Sequence, residues 1–563
     1  MGWGHVYSGP FRAGRSTWSP LTVSRSDSTR LARTLSNELN RAKKGMRYPG
    51  HPRPHYLSYL LRDEEIWILE GRFGGLFEDT HQKRRNCLAD VRVGTYAYDQ
   101  VQEGGLHDNR RELESYGYVE LPIGGTTEGL QHGLWRLTEA RYRESLDALL
   151  QRKSIELTYK NPHAALKSFQ RTAGRDDIRY RELPEVDRDA WREFVLKVSR
   201  EMKRYPALKN GSVKLTARNQ RRTFVSSEGH RLVDGTAYWS LEFYIWYLSD
   251  EGESFPLARS FFVTDPTELP DMRRAKRLVR KVHDQLALLA KAPAIRSYSG
   301  PVLLEPRAAG LLVHEAIGHR LEGNRLLSPG EGQTFRDSVG EQVLPEGFNV
   351  WDDPSMDRWG EKSLTGHYAF DDEGVESQRA KLIDNGKLVG FLTSRSPTGK
   401  RHKSNGHGRS RYHARAMSRM GVTVMQHDAG LSDAKLKEAF LEEIRAQGVP
   451  YGIRVLDASG GETSTDNYNF QAFLGQIDFA SRVFPDGREE LVRGVDFVGT
   501  PLNAIRGILA AGAKLHIDNA FCGAESGDVP VSTISPALLL SELELQQKAR
   551  RPYARFAYPL PWA

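Results

Sequence analysis

Two histidines and a glutamate fall within one short apolar stretch, His314-Glu-Ala-Ile-Gly-His319, and their spacing limits how that stretch can fold. Pro306, followed by Ala308, Ala309, Leu311, Leu312 and Val313, predicts a helix over 306–321. Proline is tolerated in a first turn, where its missing N–H would have no partner. Two imidazoles and a carboxylate on one helix are what a hydrolytic zinc site needs: the imidazoles hold the metal and the carboxylate takes a proton from the attacking water. On an ideal helix, i and i+4 lie about 40° apart, whereas i and i+5 lie about 140° apart, too far to reach one ion comfortably. A wider, π-type turn brings i+5 back towards i, and such turns occur at functional sites. The helix is therefore expected to be distorted between His314 and His319, with Gly318 lowering the steric cost. The plain alternative is one buried and one solvated histidine of no special role. The apolar run before His314 favours a partly buried ligand.

A zinc site needs a third protein ligand. Spacing alone leaves Cys522 and a carboxylate such as Glu322 both open. Cys522 reads as part of a glycine-rich loop before a strand (519–531), and its plain alternative is a small buried hydrophobe. With only Cys87 besides, the chain can hold neither a disulfide framework nor a cysteine-rich metal module.

At 563 residues the chain calls for two or three domains, and 39% hydrophobic against 27% charged residues is a globular composition. The net charge of +8 is dispersed, so neither nucleic acid nor a membrane is an expected partner. No apolar run spans a bilayer and no secretory signal is seen among the first thirty residues, so a cytoplasmic setting is expected. Residues 1–45 read as a flexible, basic arm. Residues 46–293 read as an N-terminal region of antiparallel strands and long helices, with two subdomains divided near 155–185. Its aromatic run from Phe243 to Tyr247 fits core packing better than a base-stacking platform, because no Lys or Arg interleaves it. Residues 294–547 are richer in glycine and short β segments, with Asn385-Gly386 and Pro485-Asp-Gly487 as hairpin signals. Residues 548–563 read as an extended tail that wraps over a surface. The fold class is α+β, with the metal-binding helix in the β-rich C-terminal domain.

Four segments together resemble the TldD/PmbA family of metallopeptidases: His314-Glu-Ala-Ile-Gly-His-Arg-Leu-Glu-Gly323; Asp371-Asp-Glu-Gly374 with Leu382-Ile-Asp-Asn-Gly386; Asn405-Gly-His-Gly-Arg409 leading to Arg419-Met420; and Cys522-Gly523 with Val529-Pro-Val531. The HExxxH pattern resembles the TldD-type subunit, since PmbA-type subunits lack it. The resemblance implies that His314, His319 and Cys522 bind one Zn²⁺ per chain and that Glu315 is the general base. It implies hydrolysis of peptide bonds in unfolded peptides or peptide precursors, by a homodimer or a heterodimer with a PmbA/TldE-like subunit. Arg409 and His407 are its candidates for substrate binding, with loop stabilisation the plain alternative for Arg409. Gly460 and Gly461, beside a strand expected at 468–473, would let a substrate backbone approach as an added strand. The chain departs from the family pattern at Arg320, Asn324, Ser410, Ala416 and Ser418. The competing readings are a catalytically silent partner or scaffold subunit, and a metal-dependent hydrolase of nonpeptide amides.

Overall fold

The computed structural model describes residues 25–101, 119–158, 163–179, 182–328, 334–399, 402–411, 414–463, 473–499, 501–548, 556 and 558–562. Arg25–Gly45 is a helix, where a flexible arm was expected. Leu31, Leu35, Leu39 and Ala42 recur at helical spacing along it and are buried. Four apolar positions among many polar ones are an inconspicuous signal, yet one stripe is enough to dock a helix. Residues 1–24 lie outside the described residues.

The N-terminal half is built on strands far longer than average. Pro54–Arg72, Gly75–Val93 and Leu208–Ser226 each run 19 residues, roughly 60 Å. They lie in one seven-stranded sheet with Arg231–Leu248 and Ser254–Val263. Strand alternation explains how one sheet serves several cores. On one face, Leu57, Tyr59 and Leu61 pack with Leu31, Leu134 and Leu137. Further along that face, Trp67 and Leu69 pack with Phe194, Val195, Val279 and Val282. On the opposite face, Leu60, Leu88 and Phe224 meet Ala369 and Phe370 of the C-terminal half. Strands from both sides of the break expected near 155–185 therefore belong to one sheet, and the two cores are two ends of it. Phe243 and Ile245 are buried in it. Trp246 meets Phe556 of the tail at 6.2 Å between ring centroids, and Trp562 meets Phe73 at 5.2 Å, so the described part of the tail lies on this half.

The C-terminal half is an eleven-stranded sheet that closes on itself in part. Val529–Gln547, Val495–Gly499, Phe473–Val483, Gly452–Thr463 and Tyr298–Leu304 pair in turn, and Tyr298–Leu304 pairs back with Val529–Gln547. Both hairpin signals form. Asn385 and Gly386 take positive φ between Ala380–Asp384 and Lys387–Leu388, and the turn at 484–488 joins Phe473–Val483 to Glu489–Val492. The apolar side of the 306–321 segment (Ala308, Ala309, Leu312, Val313, Ala316, Ile317) fills the same core as Val302, Val455, Ile477 and Leu538. That packing fixes the segment's rotation and turns its polar residues towards a cleft facing Ser254–Val263 of the N-terminal half. Among the described residues, no helix is long and apolar enough to cross a membrane.

Candidate metal centre

The segment bearing the histidines is not one regular helix. Pro306–Leu312 is α-helical, Val313–Gly318 forms a π-helical turn, and His319–Leu321 tightens to a 3₁₀ turn. The distortion expected from the i, i+5 spacing is present. The rings of His314 and His319 lie 5.0 Å apart between centroids at 86°. Glycine at 318 is required by packing as well, because a Cβ there would overlap the Met420 sulfur.

Cys522 does not sit in a loop, as its glycine-rich surroundings suggested. It closes the strand Ile508–Cys522, paired with Val529 at the mouth of a hairpin, and the glycines belong to the turn that follows. Its Sγ lies 3.3 Å from His319 Nε2. Donor atoms of His314, His319 and Cys522 all fall within 4.8 Å of one another. Two ligands of a tetrahedral zinc with ordinary Zn–S and Zn–N bonds stand about 3.5 Å apart. Two nitrogens and a sulfur at such separations suit zinc, so the residues present fit the ion.

Glu322, the alternative ligand on spacing alone, stands behind His319. Its Oε2 lies 3.1 Å from His319 Nδ1, which fixes the ring and leaves Nε2 for the metal side. Arg325 donates to the same oxygen from Nε at 3.0 Å and Nη2 at 2.9 Å, and to Glu525 at 2.8 Å. Arg419 donates to Cys522 Sγ at 3.2 Å. Arg325 was not singled out from sequence, and Arg419 was named only within a family-like segment with no role, since an arginine's partner cannot be read from spacing.

The electrostatics favour a cation at this point. Burial works against charge on Cys522, but His319, Arg419 and His314 outweigh it and hold the thiol well below its ordinary range. Burial likewise opposes a charge on His319, while Cys522 and Glu322 push its pKa up to about 10. A field that favours a proton there also favours a divalent ion in its place. Burial raises Glu315, partly offset by His314 and His319.

The donors open on a cavity of about 720 Å³. Its walls include Arg307, Leu311 and Glu315 from the 306–321 segment, Gly460 and Gly461 from Gly452–Thr463, and Ser260 and Phe262 from the N-terminal half. A larger cavity, about 850 Å³, adjoins it through Gly460, Gly461, Glu462 and Gln476 but holds none of the three donors. Glycine at 461 makes room for the carboxylate: an added Cβ would lie 2.7 Å from Glu315 Oε1. Gly452–Thr463 pairs with Tyr298–Leu304 only at Ile453–Val455, so beyond Val455 that edge has no strand partner among the described residues. The strand expected at 468–473 lies outside the described residues except Phe473, where Phe473–Val483 begins.

His407 and Arg409 are not brought to this cavity. His407 is fully buried, its Nε2 3.1 Å from Asp352 and its Nδ1 2.9 Å from Asn405 Oδ1. Arg409 donates to Met420 O at 2.5 Å and stacks over Tyr368. They knit loops beneath the interface between the halves, and the sequence pattern could not separate that role from substrate contact. Two departures from the family pattern are partners. Asn324 Oδ1 accepts the Ser418 N–H at 2.8 Å, a hydrogen bond that a proline at 418 could not donate. Arg320 donates to Thr463 at 3.1 Å, at the cavity rim.

Comparison with known proteins finds relatives named as metalloproteases. The PmbA/TldA metallopeptidase C-terminal domain matches residues 297–547. A zinc metalloprotease TldD homolog of Saccharolobus solfataricus is 25% identical over 61% of this chain and 72% of its own length. A metalloprotease of Archaeoglobus fulgidus is 29% identical over 46% of this chain and 56% of its own, and a metalloprotease TldD homolog of Haemophilus influenzae 29% over 48% and 52%. The chain thus spans about half the length of several curated relatives it matches. In fold, it resembles TldE from Thermococcus kodakarensis (TM-score 0.60, 12% identity, 91% of this chain and 100% of that one). It also resembles a Thermotoga maritima protein described as a modulator of a DNA gyrase (TM-score 0.61, 15% identity, 92% and 100%). Residues 297–547 thus match the PmbA/TldA metallopeptidase C-terminal domain, and the chain is similar to metalloproteases of the TldD type.

Proposed function

We propose that this chain is a zinc-dependent metallopeptidase, with one Zn²⁺ held by His314, His319 and Cys522 and with Glu315 as general base. The observation that carries the reading is the convergence of the three donors on a cavity walled by Glu315. When bound, the ion supplies Lewis acidity towards the scissile carbonyl and towards water. Glu315 then takes the proton of the attacking water on a carboxylate oxygen and delivers it to the departing amine nitrogen. Burial, which raises the affinity of Glu315 for a proton, suits it to that exchange. Glu322 keeps the proton of His319 on Nδ1.

The substrate class is an unfolded peptide or peptide precursor, bound as a strand along the unpaired edge at 456–463. Gly460, with φ +64° and open space around it, leaves that backbone accessible to another, and Gly461 brings it beside Glu315. Such recognition reads the main chain and tolerates varied side chains. The setting is cytoplasmic, where a thiol ligand stays reduced. The working unit is a dimer, either of two copies or with a PmbA/TldE-like chain.

The test is to purify the chain with and without a co-expressed TldE-like partner, measure zinc, and assay a peptide library beside Glu315→Gln. About one zinc per chain, with cleavage in the parent and none in the variant, is expected. Zinc-free protein, or cleavage undiminished by Glu315→Gln, would overturn the reading. Peptides N-methylated near the scissile bond should be cut poorly, and equal cleavage would remove the strand-addition part.

A further inference from the structure

Arg419 has no exposed surface and no place in the mechanism above. Its guanidinium nonetheless touches the surroundings of two metal-ligand candidates at once. Nη2 donates to Cys522 Sγ at 3.2 Å and to Cys522 O at 2.6 Å. Nη1 donates to Ser526 Oγ at 3.0 Å and Gly527 O at 2.8 Å, in the turn that follows the cysteine. Nε stands 3.3 Å from Oε1 of Glu322, whose other oxygen holds His319. Sequestering a guanidinium from water is costly unless its charge and donors are matched; here the hydrogen-bond partners are the sulfur and its hairpin, and the histidine's anchor supplies an opposite charge beside Nε.

We propose that Arg419 is a positioning residue for the metal: it fixes the Cys522 sulfur relative to His319 and, by donating a hydrogen bond to that sulfur, draws charge away from it and so lessens the sulfur's donation to the ion. Hydrogen bonding around a cysteine ligand tunes the metal it serves, and loss of such outer partners commonly weakens metal affinity 10–100-fold. Lysine cannot substitute fully, because one ammonium cannot span sulfur, carbonyls and carboxylate together. This inference rests on the metal reading of His314, His319 and Cys522.

The experiment loads the full-length protein with Co²⁺ and records the sulfur-to-cobalt charge-transfer band in the parent, Cys522→Ser, Arg419→Met and Arg419→Lys, with circular dichroism to establish folding. Zinc release to a chelator is followed in parallel. The parent should show the band and Cys522→Ser should lose it. In Arg419→Met the sulfur becomes the richer donor, so the band should move to longer wavelength; the sulfur is also no longer held in place, and that loss should outweigh the richer donation and lower zinc affinity about 10–100-fold. Arg419→Lys should shift the same way by less, and it decides the matter if Arg419→Met does not fold. A folded Arg419 variant with the parental band and parental zinc release overturns the proposal while leaving the metal site standing. A parent with no band at all overturns the metal reading, and this inference with it.

Discussion

Two regions of this molecule are dense in buried charge, and only one of them looks like a site. At the interface between the halves, Asp372 receives Arg222 at 2.9 Å, the Ser410 N–H at 2.8 Å and Arg62 at 3.2 Å. Nearby, Arg395 is bound by Glu228 and Gln170. Every one of these charges is spent on a neighbour within the protein, and the cluster works as a clasp. At the candidate metal centre, donors from two distant segments lean towards a common point beside a cavity, with His319 held by Glu322 and Cys522 by Arg419. Burial and shifted ionisation are common to both regions. What separates them is that two imidazoles and a sulfur converge on one point beside a cavity.

Single substitutions should split the two regions cleanly. The largest effect is expected for Glu315→Gln, which removes a general base without changing volume. Peptide cleavage should fall about 10²–10⁴-fold with zinc content and unfolding midpoint unchanged. Next is Asp372→Ala, which strands Arg62 and Arg222 in the interface. Removing one partner of a buried pair costs about 3–5 kcal/mol, read as a lower midpoint in urea, while the folded fraction keeps its zinc. Zinc loss in step with that destabilisation would mean that clasp and centre are one unit.

The interface should also carry an acid signature. Asp90, despite the burial that opposes its charge, is held at about 2 by Arg92 and Arg415, the latter contributed by the C-terminal half. A carboxylate whose folded pKa lies below its unfolded one stabilises the fold above the unfolded value. That contribution is lost as pH falls from about 4 to 2. It amounts to about 2–3 kcal/mol at neutral pH, on the linkage of roughly 1.4 kcal/mol per unit. Asp90→Asn should therefore be less stable than the parent at pH 7 and converge on it near pH 2. Parallel stability curves across that range would show that Asp90 is not the group responsible.

The sequence made the site more legible than the framework. The i, i+5 histidines demanded a wide turn, because helix geometry leaves no other way to aim both rings at one ion, and that turn is present. Local turn chemistry was equally readable at Asn385-Gly386. The Arg25–Gly45 helix and the undivided N-terminal sheet were not, because they depend on which distant surface each stripe covers. His407 and Arg409 show the limit most clearly. Their residue types and glycine-rich setting fit a substrate loop, and only the placement of Asp352 and Met420 turns them inward. Glu322 was legible as important but not as an anchor, since i+3 from His319 permits either role.

The smallest expected effect is also the sharpest comparison, because the same steric encounter occurs in both regions. A Cβ at Gly461 would lie 2.7 Å from Glu315 Oε1, and one at Gly408 would lie 2.6 Å from Glu373 Oε2. Each is tighter than van der Waals contact and presses on a carboxylate side chain; at Gly461 the Cβ would also lie 2.7 Å from Leu311 Cδ1 and 2.8 Å from Glu315 Cγ, so both side chains must shift. At Gly461 the carboxylate that moves is the proposed base, and a base displaced by a fraction of an ångström loses its alignment with the attacking water. Gly461→Ala should therefore lower kcat about tenfold, with zinc content and urea midpoint held. At Gly408 the displaced carboxylate accepts the backbone N–H of Arg395 at 2.6 Å, so Gly408→Ala should lower the midpoint and leave the kcat of the folded enzyme intact. If Gly461→Ala lowered stability and spared kcat, Glu315 would be one more charge in a structural network, and the distinction drawn between the two regions would fail at its decisive residue.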